Sequence, residues 1–365
     1  MNATLPFPAI VLSWFTLLAF SIVMVGSAAV ALQDNYLSKH IIYVVLALIA
    51  FAMCFAFPPR WWNRLYLAGW AGSVAIGVLV LMPGIGHEVN GASRWINLGA
   101  FTLQAAEVAK FGLCLYLAGY LHRHGDKLRD DVGVLMLPLV MISVVAVLLI
   151  AEPDLGSAVV IVATSVSILF IAGAKIRYFL LFIVLGAALL GALIYDEPYR
   201  LERMIAFLDP WPVQYGSGYQ LTQALIAFGR GEVFGLGLGE GVQKLFYLPE
   251  AHTDFIYAVI AEELGLVGAI LLALLLSYLI VQLLLLAKHN LLQGKTFAGY
   301  FTYFLGLTIG IQFIISMGVN TGALPTKGLT LPFVSYGGNS LIIFCGMLGL
   351  ALRACLEPEE QVGDR

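Results

Sequence analysis

Long runs without a single Asp, Glu, Lys or Arg dominate this chain. Residues 1–33 form the first, and 41–59, 65–86, 132–151, 155–174, 178–195, 264–287 and 296–326 follow. The stretch 328–352 opens as a loop and reads as helix from about Ser340. One more apolar segment, near 103–121, is interrupted by Glu107 and Lys110. A membrane-crossing helix needs about 20 apolar residues, because the hydrocarbon core is roughly 30 Å thick and each residue rises about 1.5 Å. Backbone in lipid must satisfy its own hydrogen bonds, which leaves only helices or a closed barrel. Barrel strands would alternate polar and apolar over about 10 residues each, whereas these runs are longer and uniformly apolar. The reading is an all-α polytopic membrane protein of ten transmembrane helices, a single integral membrane domain over 1–365. Its composition, 61% hydrophobic and 11% charged, excludes a soluble domain, where about 45–50% and 25% are usual. It also excludes disorder, and a net charge of −3 gives no basic balance for nucleic acid.

Basic residues orient the helices. Loops after spans two, four, six and eight, with the C-terminal tail, hold eleven of them, from Arg60 to Arg365; the short loops opposite hold only Lys39, Arg94 and Lys327. Both termini are therefore expected in the cytoplasm. Ala29-Val30-Ala31 resembles a leader cleavage site, but no basic residue precedes Lys39 and the apolar run is too long, so the first run reads as a retained helix. Between spans seven and eight this leaves a long extracytoplasmic loop, 196–253, of a length that is usually functional. The four cysteines, Cys54, Cys114, Cys345 and Cys355, avoid the outer loops, so no disulfide framework is expected.

Polar residues that lipid should exclude mark the chemistry. Glu107 and Lys110 share a helix face and read either as a structural ion pair or as the lining of a cavity for a charged substrate. Glu152-Pro153-Asp154 forms a short outer turn in which Asp154 suits an N-cap. The segment Tyr247-Leu248-Pro249-Glu250-Ala251-His252-Thr253-Asp254 ends the long loop; Thr253 or Asp254 suits an N-cap there. A partly desolvated Asp254 would also serve as a general base. On a helical wheel Glu262 lies about 80° from Asp254 and Glu263 lies opposite. Gly235-Leu236-Gly237-Leu238-Gly239-Glu240-Gly241 lacks a preceding strand and a Lys-Ser/Thr, so it is a flexible or closely packed loop and not a nucleotide site. The outer loop over 317–339, dense in Gly, Pro and hydroxyls yet apolar, reads as re-entrant, with Lys327 and free backbone N–H groups suited to a phosphate.

Several motifs together carry a resemblance. Gly218-Tyr219-Gln220, Tyr247 through Phe255, Glu262-Glu263-Leu264-Gly265, Pro325-Thr326-Lys327-Gly328, Leu331-Pro332-Phe333-Val334-Ser335-Tyr336-Gly337-Gly338, Glu152-Pro153-Asp154-Leu155-Gly156 and Asn90-Gly91-Ala92-Ser93-Arg94-Trp95 resemble the SEDS family (shape, elongation, division and sporulation). The wording Lys244-Leu245-Phe246-Tyr247 is closer to its cell-division branch than to its elongation branch. Departures are Ala105-Ala106 before Glu107, Gly241 and Asn339. The resemblance implies a peptidoglycan glycosyltransferase that polymerises lipid II at the division septum of the bacterial inner membrane. It implies a class B penicillin-binding protein transpeptidase of the FtsI type and the FtsQ–FtsL–FtsB complex as partners, and a divalent cation, Mg²⁺ or Mn²⁺, with no organic cofactor.

In that reaction a sugar 4-hydroxyl attacks an anomeric carbon and a lipid diphosphate leaves. The resemblance makes Asp254 the general base. Lys110, Arg94, Lys244, Lys327 and Arg203 become candidates for the diphosphate, with Glu107 orienting Lys110. Glu152, Asp154, Gln243, His252, Ser335 and Tyr336 complete the candidate substrate-binding set. Two other readings stay open on the residues alone: a lipid II flippase, which needs alternating access and no base, and a scaffold that only anchors the transpeptidase.

Overall fold

The computed structural model describes residues 6–32, 35–89, 92–99, 102–195, 198–326 and 328–357. Six helices in it are long and apolar enough to cross a membrane: α1 (Phe7–Ala28), α2 (Tyr36–Ala56), α6 (Val132–Ala151), α11 (Ile256–Leu292), α12 (Thr296–Asn320) and α13 (Gly338–Leu356). Shorter apolar helices are α4 (Tyr66–Leu81), α7 (Leu155–Ile171) and the first part of α8 (Ile176–Tyr195). Two short helices, α3 (Pro59–Arg64) and α9 (Pro198–Leu208), flank the apolar runs, and α10 (Tyr219–Gly231) packs on α11. The segment 196–253, expected as a long loop, thus carries two helices.

The all-α expectation needs one correction. Residues after α4 form a three-stranded antiparallel sheet, β1 (Gly86–Val89), β2 (Ala92–Asn97) and β3 (Thr102–Gln104), in the order β1-β2-β3. Trp95 pairs with His87 and Gln104 across its centre. Asn339, at the start of α13, donates from Nδ2 to Thr102 O at 2.7 Å and ties this sheet to the bundle.

α5 (Ala105–His124) is buried along most of its length and forms the centre of the bundle. It follows β3 directly, so its first turn, with Glu107, lies at the sheet end of the molecule. It approaches α4 backbone to backbone: a Cβ on Gly112 would fall 2.1 Å from Ser73 Oγ and 2.3 Å from Gly69 O. Small residues permit such contact between membrane helices, where packing and not water expulsion drives association.

α11 is broken at Gly265, whose φ of 68° is open to glycine at little cost. The break would orphan backbone groups in an apolar setting. The glycine-rich segment repairs it: Leu266 and Val267 N–H donate to Glu232 O and Val233 O at 3.0 and 3.1 Å, while Leu236 and Gly237 N–H donate to Glu262 O and Glu263 O, both at 3.0 Å. A Cβ on Gly235 would fall 2.2 Å from Glu263 O, which is why a closely packed loop needs glycine there.

Candidate active site

Asp254 lies half-buried just before α11, not within it. The helix begins at Ile256 with Phe255 as N-cap and no capping side chain, so neither Thr253 nor Asp254 caps it, and the helical-wheel placement of Asp254 against Glu262 does not apply. The main chain around Asp254 is held from two elements. From α12, Asn320 Nδ2 donates to Asp254 O at 2.9 Å while its Oδ1 accepts from Ala258 N–H at 3.1 Å. From the segment after α12, Ser335 Oγ donates to Thr253 O at 2.6 Å, and Tyr336 N–H donates to His252 O at 2.9 Å. The carboxylate faces Gly328: a Cβ there would fall 3.0 Å from Asp254 Oδ2. The rings of Tyr36, His252 and Tyr336 meet beside this strap, with centroids 4.6 Å (Tyr36–His252), 5.1 Å (Tyr36–Tyr336) and 5.5 Å (His252–Tyr336) apart. Burial pushes the His252 imidazole below its usual range, with the Glu250 carboxylate pulling it back.

Behind that loop lies a buried polar chain. Lys110 Nζ donates to Glu107 Oε1 at 2.7 Å and to Gln312 Oε1 at 3.0 Å, and sits 5.0 Å from the Phe344 ring centre. Gln312 Nε2 in turn donates to Thr330 O at 2.9 Å. The Glu107–Lys110 pair thus reaches the loop that faces Asp254 through one amide of α12. Glu107 Oε2 is buried without a partner among the described residues.

The turn between α6 and α7 adds the third element. Asp154 caps α7 by accepting from Ser157 N–H at 3.1 Å, as its position before a helix predicts. Arg94 donates to the main chain of the turn, Nε to Glu152 O at 3.4 Å and Nη2 to Pro153 O at 2.5 Å. Glu152 is fully buried, and neither carboxylate oxygen has a partner among the described residues. Burial, then the Asp154 charge, pushes its carboxyl up to about 8, against the pull of Arg94. Leu329 packs at Gly156, which brings the start of α7 beside the loop at Asp254.

Gln243 and Lys244 lie elsewhere in role. Lys244 Nζ is buried and donates to Glu263 Oε1, Gly239 O and Ser27 Oγ at 2.6, 2.7 and 2.9 Å. Gln243 and Val242 N–H donate to Glu262, which also pairs with Arg230 at 3.0 Å. These contacts fasten the glycine-rich segment to α1 and α11 and occupy Lys244 fully. The Arg203 side chain and Lys327 lie outside the described residues. Among the described residues no group of three or more His, Cys, Asp or Glu could hold a metal ion. Gln312, Asn320, Ser27 and Tyr36 were not expected at the site; the first two are amides eight residues apart inside an otherwise apolar helix, a signal the sequence does carry.

Taken together, these features define a polytopic membrane protein with a carboxylate presented at a junction of three non-helical segments. The family of cell cycle proteins comprising FtsW, RodA and SpoVE matches residues 8–359, and the chain belongs to that family. It is 45% identical over 361 residues to the probable peptidoglycan glycosyltransferase FtsW of Coxiella burnetii, covering 96% of each chain. It is also 45% identical to the protein of the same description from Pseudomonas fluorescens, covering 95% of this chain and 87% of that one. Among solved structures it is similar to a chain of a peptidoglycan synthase complex described as coordinating polymerization and crosslinking, with a TM-score of 0.79, 29% identity and coverage of 95% and 96%. The rod shape determining protein RodA of Thermus thermophilus gives 0.72 at 28% identity, covering 95% of each chain.

Proposed function

We propose that this protein is a peptidoglycan glycosyltransferase that polymerises lipid II during septal wall synthesis in the bacterial inner membrane. The reading rests on full-length similarity to proteins of that description and on one observation: a partly desolvated carboxylate, Asp254, fixed at the junction of α11, α12 and the 328–337 loop. Ten helices span the membrane: the six long ones, α4, α5, α7 and α8. The sheet end faces outward and both termini face the cytoplasm. A class B penicillin-binding protein is the transpeptidase partner, and the FtsQ–FtsL–FtsB complex joins it in division.

A neutral sugar hydroxyl is a weak nucleophile. Asp254 takes its proton as the oxygen bonds to the anomeric carbon of the lipid-linked chain, a role worth about 10²–10⁴-fold. The bond to the lipid diphosphate breaks, and its electron pair leaves with the phosphate oxygen. The proton then passes from Asp254 to water. Charge developing on the diphosphate is met by cations at the outward end, for which Arg94, Arg203 and Lys327 are the proposed contributors. Lys110 acts through Gln312 and the loop.

Asp254→Asn, purified with the transpeptidase and given lipid II, is expected to yield no polymer while assembling normally. Wild-type polymerisation by that variant would refute the base assignment.

A further inference from the structure

We propose that Asn320 is a positioning residue for Asp254, acting by tying the main chain of Asp254 and the first turn of α11 to a neighbouring helix. The inference rests on the reading of Asp254 as the base. The first N–H groups of any helix lack intrahelical partners and are normally met by a side chain just before the helix. α11 has none, because Phe255 stands at its N-cap. Ala258 N–H donates to Phe255 O at 3.0 Å, and Asn320, the fully buried last residue of α12, gives it a second acceptor through Oδ1 at 3.1 Å. The same amide donates to Asp254 O and, at 2.8 Å, to Ser316 O one turn back in its own helix. All three contacts have one orientation of the amide in common, since only an NH₂ group donates to carbonyls and only the oxygen accepts from Ala258.

The consequence is geometric. Asp254 sits between a helix start and a loop, a place where a chain ordinarily has freedom. Asn320 joins the main-chain oxygen of Asp254 to the end of α12, and α12 continues through Gln312 to the Thr330 carbonyl of the facing loop. One helix therefore sets the distance between the carboxylate and the loop across from it. Misplacing a catalytic group by about 1 Å can lower a rate roughly 10²-fold.

Two substitutions separate positioning from architecture. Asn320→Asp keeps the acceptor for Ala258 N–H but sets a carboxylate oxygen against the Asp254 and Ser316 carbonyls. Asn320→Ala removes both functions. Each is measured as the complex with the transpeptidase, in lipid II polymerisation and thermal unfolding, beside Asp254→Asn. We expect both Asn320 variants to lower kcat about tenfold or more with KM for lipid II nearly unchanged. Wild-type kcat in Asn320→Asp would overturn the proposal, as would a loss confined to KM. Failure of both variants to assemble would overturn it too, in favour of a purely architectural role. Full activity in Asp254→Asn would remove the base itself and the proposal with it, whereas an inactive Asp254→Asn beside an active Asn320→Asp would remove the positioning role alone.

Discussion

Among the described residues two ion pairs are buried on both sides, and they are built differently. Lys244–Glu263 is complete. The ammonium has three oxygen acceptors, and the carboxylate accepts from Lys244, Ser27 Oγ and Gly239 N–H. Glu107–Lys110 is incomplete. Lys110 has two oxygen acceptors and a ring face, and one oxygen of Glu107 is buried with nothing bonded to it among the described residues. A buried charge that is fully met by neighbours is an architectural device. A buried charge left partly unmet is costly to keep, and membrane proteins keep such groups where a substrate or cavity needs them. The complete pair closes the glycine-rich splice at the broken helix. The incomplete pair lies one amide away from the loop opposite Asp254.

The largest effect expected from breaking this contrast is on stability. Glu263→Ala strands the Lys244 ammonium and two further donors in the interior. Removing one partner of a buried pair costs about 3–5 kcal/mol, so the variant should insert poorly or melt far below wild type. The double variant Lys244→Met with Glu263→Gln removes both charges together and should recover most of the melting temperature and the polymerising activity. A Glu263→Ala protein that melts like wild type would show that the clamp is dispensable.

The same pair of substitutions at the other site should behave differently. Lys110→Met with Glu107→Gln also removes both charges, and its melting temperature should stay near wild type. Its polymerisation should still fall about tenfold, equivalent to roughly 1.4 kcal/mol in the barrier, because the link through Gln312 to Thr330 loses its charged anchor. Full activity in this double variant would make the two pairs equivalent and place Lys110 with Lys244 as architecture.

How much of this was legible before the fold? The long helices were, since an apolar run of twenty residues has one stable form in lipid. The place of Asp254 was, at the end of the outer segment just ahead of the next long helix. The break in α11 was not: Glu262-Glu263-Leu264-Gly265 reads as continuous helix, and only the pairing of 232–237 against it makes the interruption affordable. The burial of Lys244 is not legible either, because its partners, Ser27 and Glu263, come from distant parts of the chain and a cation in a loop gives no sign of burial. Asn320 and Gln312 were passed over because an uncharged amide barely interrupts a hydropathy profile. The sheet of 86–104 consists of strands of four, six and three residues, too short for a period to emerge.

The last comparison concerns a second carboxyl of the incomplete kind. Glu152 is buried with both oxygens unbonded among the described residues, and its ionisation is pushed from about 4.5 up to about 8. The folded protein therefore holds a proton that the unfolded chain releases above about pH 4.5. By linkage this contribution to stability is fully present below that pH, declines as pH rises, and is gone above about pH 8. Glu152→Gln carries no such proton, so its own melting temperature should lack this slope. Measured from about pH 5 to pH 8.5, wild type should lose stability relative to the variant as pH rises. The comparison uses slopes because the Gln amide brings donors of its own, which shift both ends of the curve equally. Parallel curves would mean that Glu152 stays ionised in the fold, and the turn would then join Lys244–Glu263 as a charge fully met by its surroundings.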